Sequence, residues 1–366
     1  MKRKQVILLL TILASSIIGV IIISKTSNSI HDYPGPFDRR FADASITPLR
    51  SRPIAIDKAE LVSAGNSHIY LWSSLNPFKV IDVDRETLAL KEESLMIRDV
   101  DTLHFFNIEA RLDSPYFYLA DGTVPYIYRC GISDWECNRF MYDSTYFLDI
   151  EPLTSGSFAL RSMVRDDDRC ALLLQSNTAP HVVRRQGLLS KQKDGCFCTD
   201  GLMNRDPVTR NLVYTYFYRN EYLVLDTNLY MVNKGRTIDT FNIARIETAI
   251  IQTKSSISYR LASPAFPINK RSYAAGSLLY ILSTVRGRNE ERKIFETSSV
   301  IDIYDTKEAA YQLSFYVPDR NGNKLNEFLV EGHEFIALFG NEIVIYDINE
   351  LIMPLRQPRF SSMDQE

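Results

Sequence analysis

EFIALFGNEIVIYDINE, residues 334–350, decides the fold of this chain. Two runs of apolar, aromatic and β-branched residues flank the turn residues Gly340 and Asn341, a pattern typical of a β-hairpin. A second stretch of the same kind, PYFYLADGTVPYIYR, covers residues 115–129 and also joins two such runs through an Asp-Gly turn. The sequence therefore predicts antiparallel strands joined by tight turns.

Short strands of this type fill the chain from Pro53 onward, so the sequence predicts an all-β fold. Two segments instead suggest one or two helical turns, within Glu86–Asp99 and Arg245–Lys254. Both are short enough to be insertions between strands. Long helices alternating with strands are not predicted, which disfavours a βαβ architecture.

An apolar strand next to a polar turn recurs six times, and this recurrence predicts a six-bladed β-propeller. The steps between the six markers range from 43 to 72 residues, close to one four-stranded blade plus loops. The alternative is a pair of β-sandwich domains. In a propeller we expect Arg52–Asp57 to pair with the last blade and close the ring. The six markers begin at Phe78, Val124, His181, Thr227, Ser299 and Glu342.

The N-terminus predicts membrane targeting. Val6–Ser24 is an uncharged run of 19 residues preceded by the basic residues 2–4. Its length suits a single transmembrane helix, and the basic flank predicts a cytoplasmic N-terminus. We therefore expect a bacterial inner-membrane protein whose body faces the periplasm. The alternative is a cleaved signal peptide and a periplasmic protein.

The predicted organisation has four parts. Residues 1–24 form the membrane anchor, and residues 25–47, interrupted by Pro34, Gly35 and Pro36, form a linker. The propeller covers residues 48–355, and residues 356–366 form a polar tail. The formal net charge of the whole chain is −3. Residues 1–25 contain four basic residues and no acidic residue, so the rest of the chain has a formal net charge of −7. A mildly acidic body argues against a nucleic-acid partner.

Five cysteines are expected to form disulfides, because an exported body permits them. Cys130 and Cys137 bracket a six-residue loop and are predicted to pair across a hairpin. Cys170 is expected to pair with Cys196 or Cys198, and an odd cysteine remains. The alternative is a zinc site, but these three cysteines supply only three ligands and no histidine lies beside them in the sequence. No metal and no cofactor is predicted.

Candidate functional residues are weak, and catalytic residues are unknown at this point. His333 could face the central channel, although a turn position is favoured. Asp319, Asn321 and Asn323 alternate as calcium ligands do, but Lys324 stands where such a loop has glycine, and an Asn-Gly turn is favoured. The acidic run 166–168 suggests a solvated turn. The charged loop Arg286–Lys293 could bind a partner or form a solvated hairpin.

The other histidines, His31, His68, His104 and His181, show no metal-ligand spacing. The sequence contains no G-x-S-x-G elbow, no phosphate-binding P-loop and no dinucleotide-binding glycine motif. These absences disfavour several common enzyme classes.

The strands DGTVPYIYR (121–129) and VIDIYDTK (300–307), together with the apolar N-terminus, resemble the six-bladed TolB-like propeller proteins of Bacteroidetes. The resemblance implies the fold and an envelope location, and it transfers no functional residue. The leading hypothesis is a binding or scaffold propeller that recognises a protein, peptide or glycan. Alternatives are a propeller-type lyase, hydrolase or sugar oxidoreductase that uses the central channel, and a redox accessory that uses the cysteines.

Overall fold

The computed structural model describes residues 5, 11–19, 34–65, 67–98, 105–141, 145–164, 169–193, 196–252 and 257–356. Within these ranges, residues 11–19 are helical, and none of the described helices has the length and apolar character needed to cross a membrane. The rest of the predicted anchor Val6–Ser24 lies outside the described residues, as do residues 25–33 of the predicted linker and residues 357–366 of the tail.

The chain is an all-β, six-bladed propeller, as the sequence predicts. Each blade is a small antiparallel sheet whose first strand lies at the axis and contacts the first strands of both neighbouring blades. These contacts run around the full circle, so the six sheets close into a ring.

The first half of the ring contains three blades, built from consecutive strands. Strand β1 (Thr47–Pro53) precedes them and belongs to the last blade. Blade 1 comprises β2 (Glu60–Ala64), β3 (His68–Trp72), β4 (Lys79–Asp84) and β5 (Leu90–Ser94). Blade 2 comprises β7 (Ile108–Asp113), β8 (Tyr116–Asp121), β9 (Tyr126–Gly131) and β10 (Glu136–Met141), with the short β6 (Met96–Ile97) parallel to β10. Blade 3 comprises β11 (Asp149–Thr154), β12 (Ser157–Val164), β13 (Arg169–Ser176) and β14 (Val182–Arg185).

The second half repeats this plan with one insertion. Blade 4 comprises β15 (Gly201–Arg205), β16 (Leu212–Tyr216), β17 (Tyr222–Leu225) and β18 (Met231–Gly235), and the separate hairpin β19 (Thr248–Gln252) and β20 (Ile257–Leu261) follows it. Blade 5 comprises β21 (Asn269–Ala275), β22 (Leu278–Ser283), β23 (Ser298–Asp305) and β24 (Ala310–Pro318). Blade 6 comprises β25 (Glu327–Glu331), β26 (Glu334–Phe339) and β27 (Glu342–Asp347). Short helices cover Phe197–Thr199, Arg292–Glu296 and Asn349–Arg356.

The ring is closed by the N-terminal strand. Strand β1 pairs antiparallel with β27 and supplies the outer strand of blade 6, so Ser51 lies opposite Val344. The closing strand covers Thr47–Pro53 rather than the expected Arg52–Asp57, so only Arg52 and Pro53 of the predicted segment pair with β27. Pairing both ends of the chain in one sheet covers an edge of β27 that would otherwise be open to other chains.

The core lies between the blades. All six residues of β22 and all six of β26 are buried, because neighbouring blades cover both faces of these middle strands. Strands that are buried on both faces consist of consecutive apolar residues and do not alternate strictly between apolar and polar ones. The continuous apolar runs that identify the fold are therefore middle strands of blades.

The two segments expected to be helical form strands. Glu86–Asp99 contains β5 and β6, and Arg245–Lys254 contains β19. Edge strands carry polar residues on their exposed side. Over so few residues, the resulting mixture of polar and apolar residues is easily mistaken for the period of an amphipathic helix. Pairing with β4 fixes β5, and pairing with β20 fixes β19.

Residues 34–46 are packed against blade 5 and do not extend freely as a linker would. The amide of Gly35 donates to the carbonyl of Arg286 at 2.7 Å, and the amide of Ala42 donates to the carbonyl of Ser314 at 3.0 Å. Phe37 is buried against Val285. The prediction of a linker is therefore wrong for residues 34–46. Their apolar and arginine side chains contact residues that are more than 200 positions away in the sequence.

Candidate functional site

A cavity of about 400 Å³ lies at the axis of the ring. Residues from all six inner strands line it, namely from β2, β7, β11, β15, β21 and β25. This volume falls within the range of pockets that hold small molecules. The cavity at the axis is therefore a candidate ligand site.

Charged side chains dominate the wall of this cavity. They reach the axis because alternate residues of a strand point to the same face, as Arg111 and Asp113 do on β7 and Asp149 and Glu151 do on β11. Among the described lining residues, the carboxylates are Glu60, Asp113, Asp149, Glu151 and Glu327, and the guanidinium groups are Arg111, Arg205 and Arg271.

Arg111 joins two blades through three carboxylates. Its Nη2 lies 2.8 Å from Oδ1 of Asp149 and 3.2 Å from Oε2 of Glu109, and its Nε lies 3.4 Å from Oε2 of Glu151. Nε also donates to the carbonyl of Ile150 at 2.8 Å. Arg111 therefore contacts three acidic groups, and the more distant charges of Arg161 and Arg205 also act on Glu109 and Glu151, respectively.

Burial within this cluster raises the pKa of two of its carboxyl groups, Glu109 and Glu151. Burial raises the pKa of Glu109 to about 8; the charge of Arg111 opposes this shift, and the neighbouring carboxylate of Asp149 adds to it. Burial likewise raises the pKa of Glu151 to about 7, again against the effect of Arg111. Glu151 on the cavity wall and Glu109 next to Arg111 are thus partly protonated at neutral pH.

Arg205 is the most enclosed of the three lining arginines. Its side chain is 7% exposed, and its Nη2 contacts Oδ1 of Asp113 on β7. Its backbone amide donates to Oε1 of Glu151 at 3.2 Å. Within the part of the chain that the structure describes, Nε and Nη1 of Arg205 are buried and have no hydrogen-bond partner. Buried donors without a partner are rare in proteins and are satisfied by water or by a ligand.

A second pair of carboxylates lies on the wall formed by blades 6 and 1. Oε2 of Glu327 accepts the backbone amide of Leu61 at 2.7 Å, and Oε1 lies 3.5 Å from Nη2 of Arg271. Burial raises the pKa of Glu60, and the negative charge of Glu327 raises it further. The positive charges of Arg111 and Arg271 partly oppose both effects, although neither arginine forms an ion pair with Glu60 among the described residues.

None of the histidines within the described ranges lines this cavity. His68 pairs with Asp82 at 2.7 Å, and the ring of His181 lies 3.2 Å from the carbonyl of Ser176. His333 occupies an exposed turn between β25 and β26, which corresponds to the favoured interpretation. His31 and His104 lie outside the described residues.

The alternating residues Asp319, Asn321 and Asn323 belong to a tight turn. The amide of Arg320 donates to the carbonyl of Asn323 at 2.9 Å, and Asn321 and Gly322 both adopt positive φ. This is the conformation that Asn-Gly favours in hairpins. No group of three or more potential metal ligands occurs among the residues that the structure describes, and the acidic run 166–168 lies outside them.

The charged loop Arg286–Lys293 is not simply a solvated hairpin, because it packs against the N-terminal segment of the same chain. The amide of Arg288 donates to the carbonyl of Phe37 at 2.8 Å, and the side-chain amide of Asn289 donates to the carbonyl of Arg39 at 2.8 Å. A local sequence window cannot show this contact, because the two segments are about 250 residues apart.

The structure contains two disulfides. One joins Cys130 to Cys137, which lie directly opposite each other on β9 and β10. The other joins Cys170 on β13 to Cys196. Cys198 is buried and belongs to neither disulfide; its sulfur accepts the backbone amide of Gln192 at 3.4 Å. Disulfides of this kind are typical of proteins outside the reducing cytoplasm.

The channel residues were missed by the sequence analysis, although a signal was present. The segments IEARLD (Ile108–Asp113) and DIEPLT (Asp149–Thr154) each alternate charged residues within a strand of an all-β protein. A strand that places several charges on one face must direct that face to water or to a polar cavity.

Comparisons with known proteins support the fold and no more. No family model and no curated protein matches the sequence. A solved member of the duf4221 family from Bacteroides vulgatus is similar in structure, with a TM-score of 0.52 and 10% identity over 86% of this chain and 98% of that chain. Two further structures have lower TM-scores. Virginiamycin B lyase from Staphylococcus aureus scores 0.44 at 10% identity, over 81% of this chain and 98% of that chain. A protein from Bacteroides fragilis that is named as exported scores 0.43 at 9% identity, over 84% of this chain and 97% of that chain. At such low identity the first similarity shows that the chain shares the fold of the duf4221 protein.

Proposed function

We propose that this protein is a binding propeller outside the cytoplasm and that its central cavity holds a small polar ligand. The observation that carries the proposal is Arg205, an enclosed arginine on the cavity wall whose Nε and Nη1 have no partner among the described residues. Both nitrogen atoms are buried, so a ligand oxygen would satisfy these donors after a turn of the Arg205 side chain toward the cavity. The ligand would be free or would belong to a protein, peptide or glycan partner.

The cellular location forms a second part of the proposal. Two disulfides support an extracytoplasmic body, and the basic-then-apolar N-terminus supports a membrane anchor. The sequence resemblance supports a propeller of the TolB-like type. Protease added to spheroplasts should digest the body if it faces the periplasm. Survival of the body until the inner membrane is lysed would contradict this orientation.

The ligand proposal can be tested with one substitution at the cavity wall. Arg205→Lys keeps a positive charge for Asp113 but lacks the Nε and Nη1 donors. Arg288→Lys is a matched control, because Arg288 pairs with Asp38 on the surface and is 66% exposed. The probes are a panel of cationic, neutral and anionic sugars and short peptides, each at millimolar concentration.

We expect at least one probe to raise the melting temperature of the wild type and of Arg288→Lys by several degrees, with a much smaller effect on Arg205→Lys. A panel that leaves the wild-type melting temperature unchanged would contradict the proposal. Equal shifts in all three proteins would place the binding site elsewhere and would also contradict it.

Catalysis in the same cavity is a second candidate function. It is favoured by Glu109 and Glu151, whose raised pKa values of about 8 and 7 suit general acid–base chemistry at neutral pH. A lyase, hydrolase or sugar oxidoreductase could use such groups. Turnover of a bound probe by the wild type, lost in Glu109→Gln while binding persists, would support this function. Binding without turnover would favour the first candidate.

A further inference from the structure

The cavity wall contains more negative than positive groups. The described lining residues include five carboxylates and three guanidinium groups, and Glu109 adds a further carboxyl group next to Arg111. Every lining arginine already contacts at least one carboxylate. Arg111 pairs with Asp149, Arg205 with Asp113 and Arg271 with Glu327. Glu109 and Glu151 are partly protonated at neutral pH, so the shortage of positive charge concerns Glu60 and Glu327, beside which Arg271 is the lining guanidinium group that forms a described ion pair.

Glu60 is the lining carboxylate with the weakest compensation. Among the described residues it takes part in no ion pair, and its neighbour Glu327 uses one oxygen for the amide of Leu61 and the other for a 3.5 Å contact with Arg271. A partly buried carboxylate is unfavourable when its positive neighbours, here Arg111 and Arg271, form no ion pair with it. A cationic group placed between Glu60 and Glu327 would remove this cost.

The unsatisfied donors of Arg205 lie on the opposite side of the ring. Glu60 belongs to blade 1 and Arg205 to blade 4, and these blades face each other across a six-membered ring. Glu60 is the first residue of β2, whereas Arg205 is the last residue of β15. Because every blade starts with its inner strand, the inner strands run in one direction. The two groups therefore also differ in depth, by roughly four strand residues or about 13 Å.

We infer that the central cavity binds an elongated organic cation, with a primary ammonium group between Glu60 and Glu327 and an oxygen acceptor at Arg205. This inference rests on the proposed function and names its ligand class. The same chemistry occurs in an oligomer of amino sugars and in the free N-terminus of a short peptide. Both combine an ammonium group with hydroxyl or carbonyl oxygens further along the molecule.

The test compares ligands that differ only in charge. Calorimetric titrations use the full chain, purified in detergent, at pH 6, where the amines are protonated. The sugar probes are a glucosamine trimer, its fully N-acetylated counterpart and a galacturonic acid trimer. The peptide probes are trialanine amide with a free N-terminus and the same peptide N-acetylated. We expect the cation of at least one pair to bind tenfold or more tightly than its acetylated counterpart.

Two substitutions connect this preference to the proposed contacts. Glu60→Gln should weaken binding of the cation about fivefold to tenfold and leave binding of the acetylated compound unchanged. Glu92→Gln is the matched control, because Glu92 pairs with Lys79 on the outside of blade 1 and should change neither affinity. Arg205→Lys should weaken both members of the pair, since the oxygen contact does not depend on the charge of the amine.

The inference would be overturned if the galacturonic acid trimer bound most tightly, or if acetylation left the affinity unchanged. If the galacturonic acid trimer or an acetylated compound bound to the wild type and lost affinity in Arg205→Lys, the proposed function would still hold although the cation inference had failed. A failure of all five probes would overturn the cation inference, and the broader panel would then decide on the proposed function by itself.

Discussion

The guanidinium of Arg39 and the carboxylate of Asp302 form a buried ion pair that joins the N-terminal segment to the middle of blade 5. Nε of Arg39 lies 2.7 Å from Oδ1 of Asp302, and Nη2 lies 3.0 Å from Oδ2, so the contact is bidentate. Nη1 contacts Glu290, and both side chains of the bidentate pair are almost fully enclosed. Sequence positions 263 residues apart are thereby held together.

Removing Arg39 should destabilise the propeller strongly. Arg39→Met leaves Asp302 and Glu290 buried without their counter-ion, and loss of one partner of a buried pair costs about 3–5 kcal/mol. Urea unfolding followed by tryptophan fluorescence measures this change. Arg288→Met is the control, because the Arg288–Asp38 pair is exposed and should change the unfolding midpoint very little. Similar midpoints for the two variants would show that the buried pair does not stabilise the fold.

The closing strand makes a separate contribution that truncation can measure. Removing residues 1–33 should leave the melting temperature nearly unchanged, because both the Arg39 segment and β1 remain. Removing residues 1–46 should lower it through loss of the Arg39 contacts, and removing residues 1–53 should lower it further by exposing the edge of β27. If the second and third truncations melt at the same temperature, β1 does not stabilise the ring.

The fold was predictable because middle strands produce continuous apolar runs, and these recur once per blade. The six sequence markers do not all fall on the same strand of their blades. The markers at Phe78, Val124, Ser299 and Glu342 fall on the third strand of a blade, whereas those at His181 and Thr227 fall on the fourth strand. Periodicity reports that a strand exists, but hydrogen-bond pairing fixes its place in the sheet.

The longest marker step also has a structural cause. The hairpin formed by β19 and β20 is inserted between blades 4 and 5, so the spacing there exceeds that of an ordinary blade. The candidate site was harder to predict. Arg205 and Asp113 meet across 92 residues, and nothing near either of them in the sequence indicates the other. Sites at a propeller axis collect one or two residues from each blade, so no compact motif exists.

The two disulfides should contribute unequally to stability. In a chain-entropy description the stabilisation grows with the length of the closed loop. The Cys170–Cys196 bond spans 26 residues and the Cys130–Cys137 bond spans 7, which corresponds to about 3.5 and 2.4 kcal/mol. The double variant Cys170→Ala/Cys196→Ala should therefore unfold at lower urea concentration than Cys130→Ala/Cys137→Ala. The reverse order would show that contacts within blade 2 outweigh the entropy of the longer loop.

The acidic cluster around Arg111 should make the propeller less stable as the pH rises through neutrality. Glu109 and Glu151 have raised pKa values of about 8 and 7, so between about pH 4.5 and pH 8 the folded chain binds more protons than the unfolded chain. Stability then falls with increasing pH, because the unfolded state is the one that releases protons more readily. Glu109→Gln keeps the shape of the protonated side chain without its titration and should flatten the decline between pH 6 and 8. Urea midpoints at pH 6, 7 and 8 measure the effect, with Glu92→Gln on the outer surface as the control that keeps the wild-type slope. A Glu109→Gln variant whose midpoints decline as steeply as those of the wild type would show that Glu109 is already ionised at neutral pH.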